Sequence, residues 1–228
     1  MIHLRFCTVF IALSVMSCSV SGQSDYLARG VSGFEVDGGF AASSEWSGLF
    51  GRAGYSVSGV FDLGLGVAYL THDRKVAGED VHSTTFIPHF RWFVVKQQPG
   101  GLPLSLSIGA EYQHDSYSSD GLDALDQKME SDFFSLRLTA YHVTSDRRSL
   151  RVQPYASLAY HTGELKVSHR LRDTESEDSS ELRAQAGVSL FFKRSGRSAF
   201  RLSPALTVTS DDLTLLVNLG MILPTSRR

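Results

Sequence analysis

Glu35, Asp37, Arg52, Asp62, Arg91, Glu111 and Arg137 each stand alone in runs of otherwise apolar or small residues. A charge set into such a run must find an opposite charge or remain in water, because an unpaired ion in an apolar setting is costly. Arg52 is expected to lie between Glu35 and Asp37 on one side and Asp62 on the other, and Glu111 between Arg91 and Arg137. The chemistry on offer is that of an ion-pair network.

Other candidates carry less. His72, His82, His114, His142, His161 and His169 fall in expected loops or strand ends, none at metal-ligand spacing with a second ligand, and read as solvated. "HST" from His82 and "HTGE" from His161 set a histidine beside a hydroxyl without the spacing of a nucleophile and its base. Asp211 and Asp212 have no histidine partner and read as a loop tip. "GVSGFEVDGGF" holds glycines but no phosphate loop. Two acidic groups, Asp120, Asp123, Asp126, Glu130 and Asp132, and Asp173, Glu175, Glu177 and Asp178, offer oxygens to a cation, although no calcium-loop spacing supports that use. They also form a surface that an extracellular ligand could touch. No catalytic, cofactor or metal site is assigned, and an enzyme is not expected.

What must position these residues is a set of strands. In "GVFDLGLGVAYL", Phe61, Leu63, Leu65, Val67 and Tyr69 alternate with Asp62, Gly64, Gly66 and Ala68. Period-two alternation is the signature of a strand, whose side chains point in turn to opposite faces. The pattern recurs about ten times, in segments near the roughly 9 to 11 residues that let a tilted strand cross a bilayer. Long connections such as "THDRKVAGEDVHS", "DSYSSDGLDALDQKMES" and "TGELKVSHRLRDTESEDSS" alternate with brief ones such as "SVSG", "KQQPGG" and "KRSGRS". The long ones are mostly acidic; the brief ones hold Lys96, Arg147, Arg148, Lys193, Arg194 and Arg197.

The polar face decides what surrounds the sheet. It carries Ser, Gly, Gln and Ala with single charges, and lysine is kept to loops and strand ends. Such residues suit a narrow barrel interior better than a wetted outer face, which puts the large apolar side chains against lipid. Tyr69, Trp92, Tyr112 and Tyr160 lie on that apolar face toward strand ends, as an aromatic girdle would. Pro88, Pro154 and Pro204 share the face and are expected to mark bulges.

Residues 1–22 read as a cleaved secretory signal: "MIHLR" is basic, Phe6 to Met16 is an apolar run too short to span a bilayer as a helix, and small residues follow. Cys7 and Cys18, the only two cysteines, lie in this leader, which excludes a disulfide framework and thiolate zinc sites; lipidation at Cys18 is left open. The 22 basic residues, Arg5 in the leader among them, face 24 acidic ones, so nothing argues for nucleic acid.

"RAGYSVSGVFDLGLGVAYL", "TTFIPHFRWFV" and "PLSLSIGAEY" resemble the small bacterial outer-membrane β-barrel domains related to the OmpA-type barrel. The resemblance implies an integral outer-membrane location, outer-membrane lipid and the barrel-assembly machinery as partners, no cofactor, and Arg91 facing the lumen. The sequence departs from it in ending "GMILPTSRR" without a terminal aromatic. The expectation is therefore an all-β protein: residues 23–228 form an antiparallel up-and-down transmembrane barrel of about ten strands, eight being the alternative, with both termini periplasmic and the lumen occluded. The competing reading is a secreted or lipid-anchored soluble barrel that holds a small apolar ligand inside.

Overall fold

The computed structural model describes residues 26–97, 101–146, 149–169, 172–193, 198–210 and 212–227. The leader, and with it both cysteines, lies outside the described residues, as do Arg147, Arg148, Arg194, Arg197 and Asp211. Eleven strands follow in order: β1 Val31–Ala42, β2 Trp46–Val57, β3 Phe61–Val76, β4 Glu79–Val95, β5 Ser105–Ser118, β6 Gln127–Tyr141, β7 Ser145–Asp146, β8 Leu150–His169, β9 Arg172–Lys193, β10 Ala199–Val208 and β11 Leu213–Arg227. One short helix, α1 Asp120–Ala124, stands between β5 and β6.

Neighbours pair antiparallel. β1 meets β11 along the whole of its length, and β6 meets β8 from Gln127 and His169 to Tyr141 and Tyr155. These two pairings close ten strands into a barrel, and the two-residue β7 pairs only with the end of β8. Closure leaves the barrel wall without a free sheet edge, which a lipid environment requires because it offers no water to satisfy an unpaired backbone group.

The alternation sorts as the sequence implied. Leu49, Leu63, Leu65, Val67, Leu136, Leu138, Leu182 and Leu219 face outward and are at least half exposed, in company with Tyr69 and Tyr160. The interior holds polar side chains and a cluster of Ala41, Trp46, Phe50, Leu70, Ile87, Phe93, Tyr141 and Tyr155. A soluble barrel with an apolar cavity would invert this arrangement, so that reading is withdrawn.

Three expectations need correction. The long connections are largely strand. β3 and β4 run out to Val76 and Glu79 and join through Ala77 and Gly78, both at positive φ, the tight turn whose twist matches that of the strands it joins. Inside these hairpins Val81, Tyr117, Leu122 and Met129 are buried together, with Leu165 and Val167 against them. That alternation was present in the sequence but masked by the charges between.

The prolines do not make bulges. Register is unbroken through Pro88, Pro154 and Pro204; on one side of Pro88 and of Pro204 the ladder simply lacks rungs, to β5 and β9 respectively. Pro154 lies where the β6–β8 ladder has ended, so its missing donor costs nothing there. The irregularity beside a proline falls at Pro224, where the β1–β11 register shifts between Ser32 and Gly33. Finally, β5 begins at Ser105, leaving Leu102 and Leu104 outside the strand.

Candidate functional site

The inward side chains of ten strands converge on the barrel axis, and the single charges of the sequence are among them. On β1, Asp37 lies directly opposite Arg52 of β2. Arg52 sets both Nε and Nη2 at 2.8 Å from Asp37 Oδ1. Arg201 of β10 reaches the same carboxylate, with Nη2 at 3.0 Å from Oδ2, and places Nη1 at 2.5 Å from Glu35 Oε1. Asn218 of β11 adds a donor at 3.1 Å. Two arginines thus balance two carboxylates across four strands, all of them at most 8% exposed. Gly220 makes room for this, since a Cβ there would lie 2.8 Å from the Cβ of Asp37.

Three further pairs continue around the wall. Arg91 of β4 lies opposite Asp62 of β3 with Nε 3.8 Å from the carboxylate, and donates through Nη1 to the Tyr141 hydroxyl at 2.5 Å. Arg137 of β6 donates to Glu111 of β5 at 3.3 Å, and its Nη1 reaches Ser157 and Gln185, each at 3.3 Å. On β9, Arg183 pairs with Glu181 at 2.7 Å.

The partners differ in part from those expected. Asp37 and Arg52 meet, and so do Glu111 and Arg137. The tight Ser58–Gly59 turn sets Asp62 opposite Ser56 and Arg52 opposite Gly66. Glu35 pairs with Arg201, and Arg91 with Asp62. Arg201, Asn218, Arg183, Glu181 and Tyr141 are members that sequence reasoning missed. Arg201 occupies the same parity as Ser203 in an otherwise alternating strand, a signal as clear as that of Arg52, but closure of the last strand pair onto the first cannot be read from neighbours in sequence.

Histidines also sit differently. His72 and His161 are buried in strands, at 7% and 3% exposure, rather than solvated in loops. His72 Nε2 lies 2.9 Å from Ser83 Oγ, above the lipid-facing belt, and burial pushes its pKa down to about 4. Outside the barrel on the hairpin side, Asp132 accepts from Tyr112 at 2.5 Å and Lys166 at 3.0 Å and lies 2.8 Å from His114 Nδ1. The Tyr112 hydrogen bond chiefly, with those from His114 and Lys166, holds its carboxyl at about 2. Asp212 lies in the connection between β10 and β11, and its carboxylate takes the Ser44 hydroxyl at 2.9 Å, tying one tight turn to the next.

Each end of the barrel carries a buried apolar cluster. At the end where the chain enters, Leu27 is buried with Phe191, Ala199 and Ile222, and Tyr26 stacks on Phe191 at 5.2 Å. Lys96 donates to the carbonyls of Leu27 and Gly59 at 2.5 and 2.7 Å, and Arg151 to that of Tyr26 at 3.1 Å. At the other end the hairpin cluster around Tyr117 and Met129 lies over the opposite sector.

No protein-family model matches the sequence, and a search of curated proteins finds no relative. Solved structures do match. The translocator domain of the autotransporter NalP from Neisseria meningitidis aligns over 85% of this chain and 88% of its own, at 7% identity and a TM-score of 0.58. The β domain of the Bordetella autotransporter BrkA aligns over 85% and 99%, at 10% identity and a TM-score of 0.52. The chain has the fold of an outer-membrane β-barrel. Ail of Yersinia pestis, the attachment invasion locus protein, aligns with this outer-membrane barrel more loosely, at 13% identity, 87% and 100% coverage and a TM-score of 0.45. At such identities the likeness is one of fold.

Proposed function

We propose that this outer-membrane barrel works as a closed scaffold: its interior blocks ions, its termini face the periplasm, and its hairpins present the functional surface outside the cell. The observation that carries the reading is the pairing of the interior charges. Arg52, Arg91, Arg137, Arg183 and Arg201 each lie against Asp37, Asp62, Glu111, Glu181 or Glu35, with a buried apolar cluster at each end of the barrel. A ten-stranded barrel is narrow beside the 16 to 18 strands that leave an aqueous channel. The acidic hairpin residues, Glu130, Glu175, Glu177 and Asp178 among them, are the place for an extracellular ligand, and the reading includes no catalytic step. Insertion falls to the barrel-assembly machinery.

The purified protein in a planar bilayer should show little steady conductance, and Glu111→Gln should raise it or destabilise the barrel. A large, constitutively open channel in the unmutated protein would reject the closed interior. Release of the protein from membranes by alkaline carbonate without detergent would reject the integral barrel.

A further inference from the structure

At the hairpin end the strands do not stop level. β10 turns into β11 through Thr209 and Asp212, and β1 into β2 through Ser43 to Glu45, so these four strands end near the wall while β3 to β9 continue into the hairpins. The hairpins form one sheet in the order β3, β4, β5, β6, β8, β9, because each antiparallel ladder runs on from the wall. A sheet that rises out of a closed barrel has two edges.

The two edges differ. β3 loses β2 after His72, which lies opposite Trp46, and only Asp73 to Val76 extends further. That short edge is partly occupied: the Asp73 N–H donates to the Glu45 carbonyl at 2.8 Å, and Arg74 to the Glu45 carboxylate at 3.1 Å. β9 loses β10 beyond Ala184, which lies opposite Val208. From Arg183 back to Arg172, β9 has β8 on one side and, among the described residues, no strand on the other. In an antiparallel ladder every second residue turns its N–H and C=O away from the paired strand, so the outer side of β9 offers a row of donors and acceptors that another extended chain can match.

Side chains select that chain. Glu175 and Glu177 lie opposite Val167 and Leu165 and share their face of the sheet; Ser176, Asp178 and Ser180 take the other face. Thr174 to Ser180 are all exposed, and no basic residue interrupts the sequence "DTESEDSSEL" from Asp173 to Leu182. A strand laid along the edge brings its own side chains opposite Glu175 and Glu177, where opposite charges attract and like charges repel. The β9 edge of a second copy would set acid against acid and is refused. Lysine or arginine at alternate positions is accepted. Charge on an edge strand commonly blocks indiscriminate pairing, and a block of one sign is also a choice of partner.

We propose that the free edge of β9 docks an extended cationic segment of another protein, which adds as a further strand beside Glu175 to Arg183 and sets basic side chains against Glu175 and Glu177. The inference rests on the reading that the hairpins carry the functional surface, and it names the mode of contact and the chemistry of the partner.

The probe is a fluorescent peptide of alternating lysine and threonine, as long as the free edge, titrated against the purified protein in a zwitterionic detergent. Anisotropy should report saturable binding, and hydrogen exchange of β9 amides between Glu175 and Arg183 should slow while that of β4 and β5 stays unchanged. Two further peptides separate a strand from a cloud of charge: one is N-methylated on every lysine, the other on every threonine. A docked strand bonds through one alternate set of amides, so only one of the two should lose binding although their charges are equal. Reversing both exposed acids, with Glu175→Lys and Glu177→Lys together, should weaken the lysine peptide about tenfold and favour its glutamate counterpart. Equal binding of the two methylated peptides, unchanged exchange in β9, or an affinity untouched by the charge reversal would overturn the docking edge and leave the closed barrel standing. Self-association of the native protein through β9, dispersed by the peptide, would make a second copy the occupant and overturn the cationic partner. Binding to the purified protein with none in excess on intact cells that express it would support the edge and reject the outward placement of the hairpins.

Discussion

Arg201 is a residue on which the β1, β2, β10 and β11 quartet depends, since it pairs with both Glu35 and Asp37. Arg201→Met would keep the bulk of the side chain and strand two buried carboxylates short of a counter-charge, at a cost of about 3 to 5 kcal/mol. Arg201→Lys, a single point charge in place of a planar fork, should recover only part of that. Urea unfolding followed by gel migration would rank the three proteins. A second residue-scale prediction concerns space rather than charge. Gly220→Ala would press against Asp37 at 2.8 Å, whereas Gly109→Ala meets its nearest atom, the Phe90 carbonyl oxygen, at 3.3 Å. The first substitution should cost about 1 to 3 kcal/mol as overpacking and the second clearly less.

At the scale of the element, facing is what the alternation fixes. Leu138, 53% exposed on β6, meets lipid, and its neighbour Thr139 is buried inside. Leu138→Arg should cost about 2 to 4 kcal/mol if it sits near mid-bilayer. A tag inserted at Asp120, beside the α1 hairpin, should be labelled on intact cells, and one at Gly101, at the opposite end, should not; the reverse would invert the proposed topology. Which face met what was legible because lipid and lumen select different residues at every second position. Strand length was not. Charges in "TGELKVSHRLRDTESEDSS" suggested solvent, and Glu175, Glu177 and Asp178 are exposed, but backbone pairing between β8 and β9 continues through them because a hairpin ribbon satisfies its own donors and acceptors. The buried state of His72 was hidden for the same reason: its burial follows from β3 continuing past the belt to meet Ser83. Acid should therefore weaken this hairpin. A histidine held at about 4 in the fold and about 6.5 unfolded leaves stability intact above pH 6.5 and erodes it as pH falls toward 4, and His72→Gln should flatten that slope in hydrogen exchange of β3 and β4.

For the whole molecule, the question is how far water and salt reach the interior charges. Closure depended on pairings distant in sequence, β1 with β11, so neither the Arg201 partners nor the apolar clusters at the ends could be read from local pattern. Once closed, the barrel sets its ion pairs in two environments. Asp37 and Arg52 have side chains 4% exposed, while Lys75 and Asp80, at 3.0 Å, have 57% and 61% exposure on a hairpin. Mobile ions screen exposed pairs over a Debye length of about 10 Å at 0.1 M and about 3 Å at 1 M, but act little on pairs they cannot approach. Raising salt from about 0.1 to 1 M should therefore leave global unfolding in urea almost unchanged, while speeding hydrogen exchange in the hairpins beyond Tyr69, Tyr112 and Tyr160. The Arg201→Met protein sharpens the comparison. Its uncompensated carboxylates draw in water and cations, so its unfolding should become salt-dependent where that of the native protein is not. Equal salt dependence in both would mean that ions already reach the native interior, and the closed scaffold would be wrong.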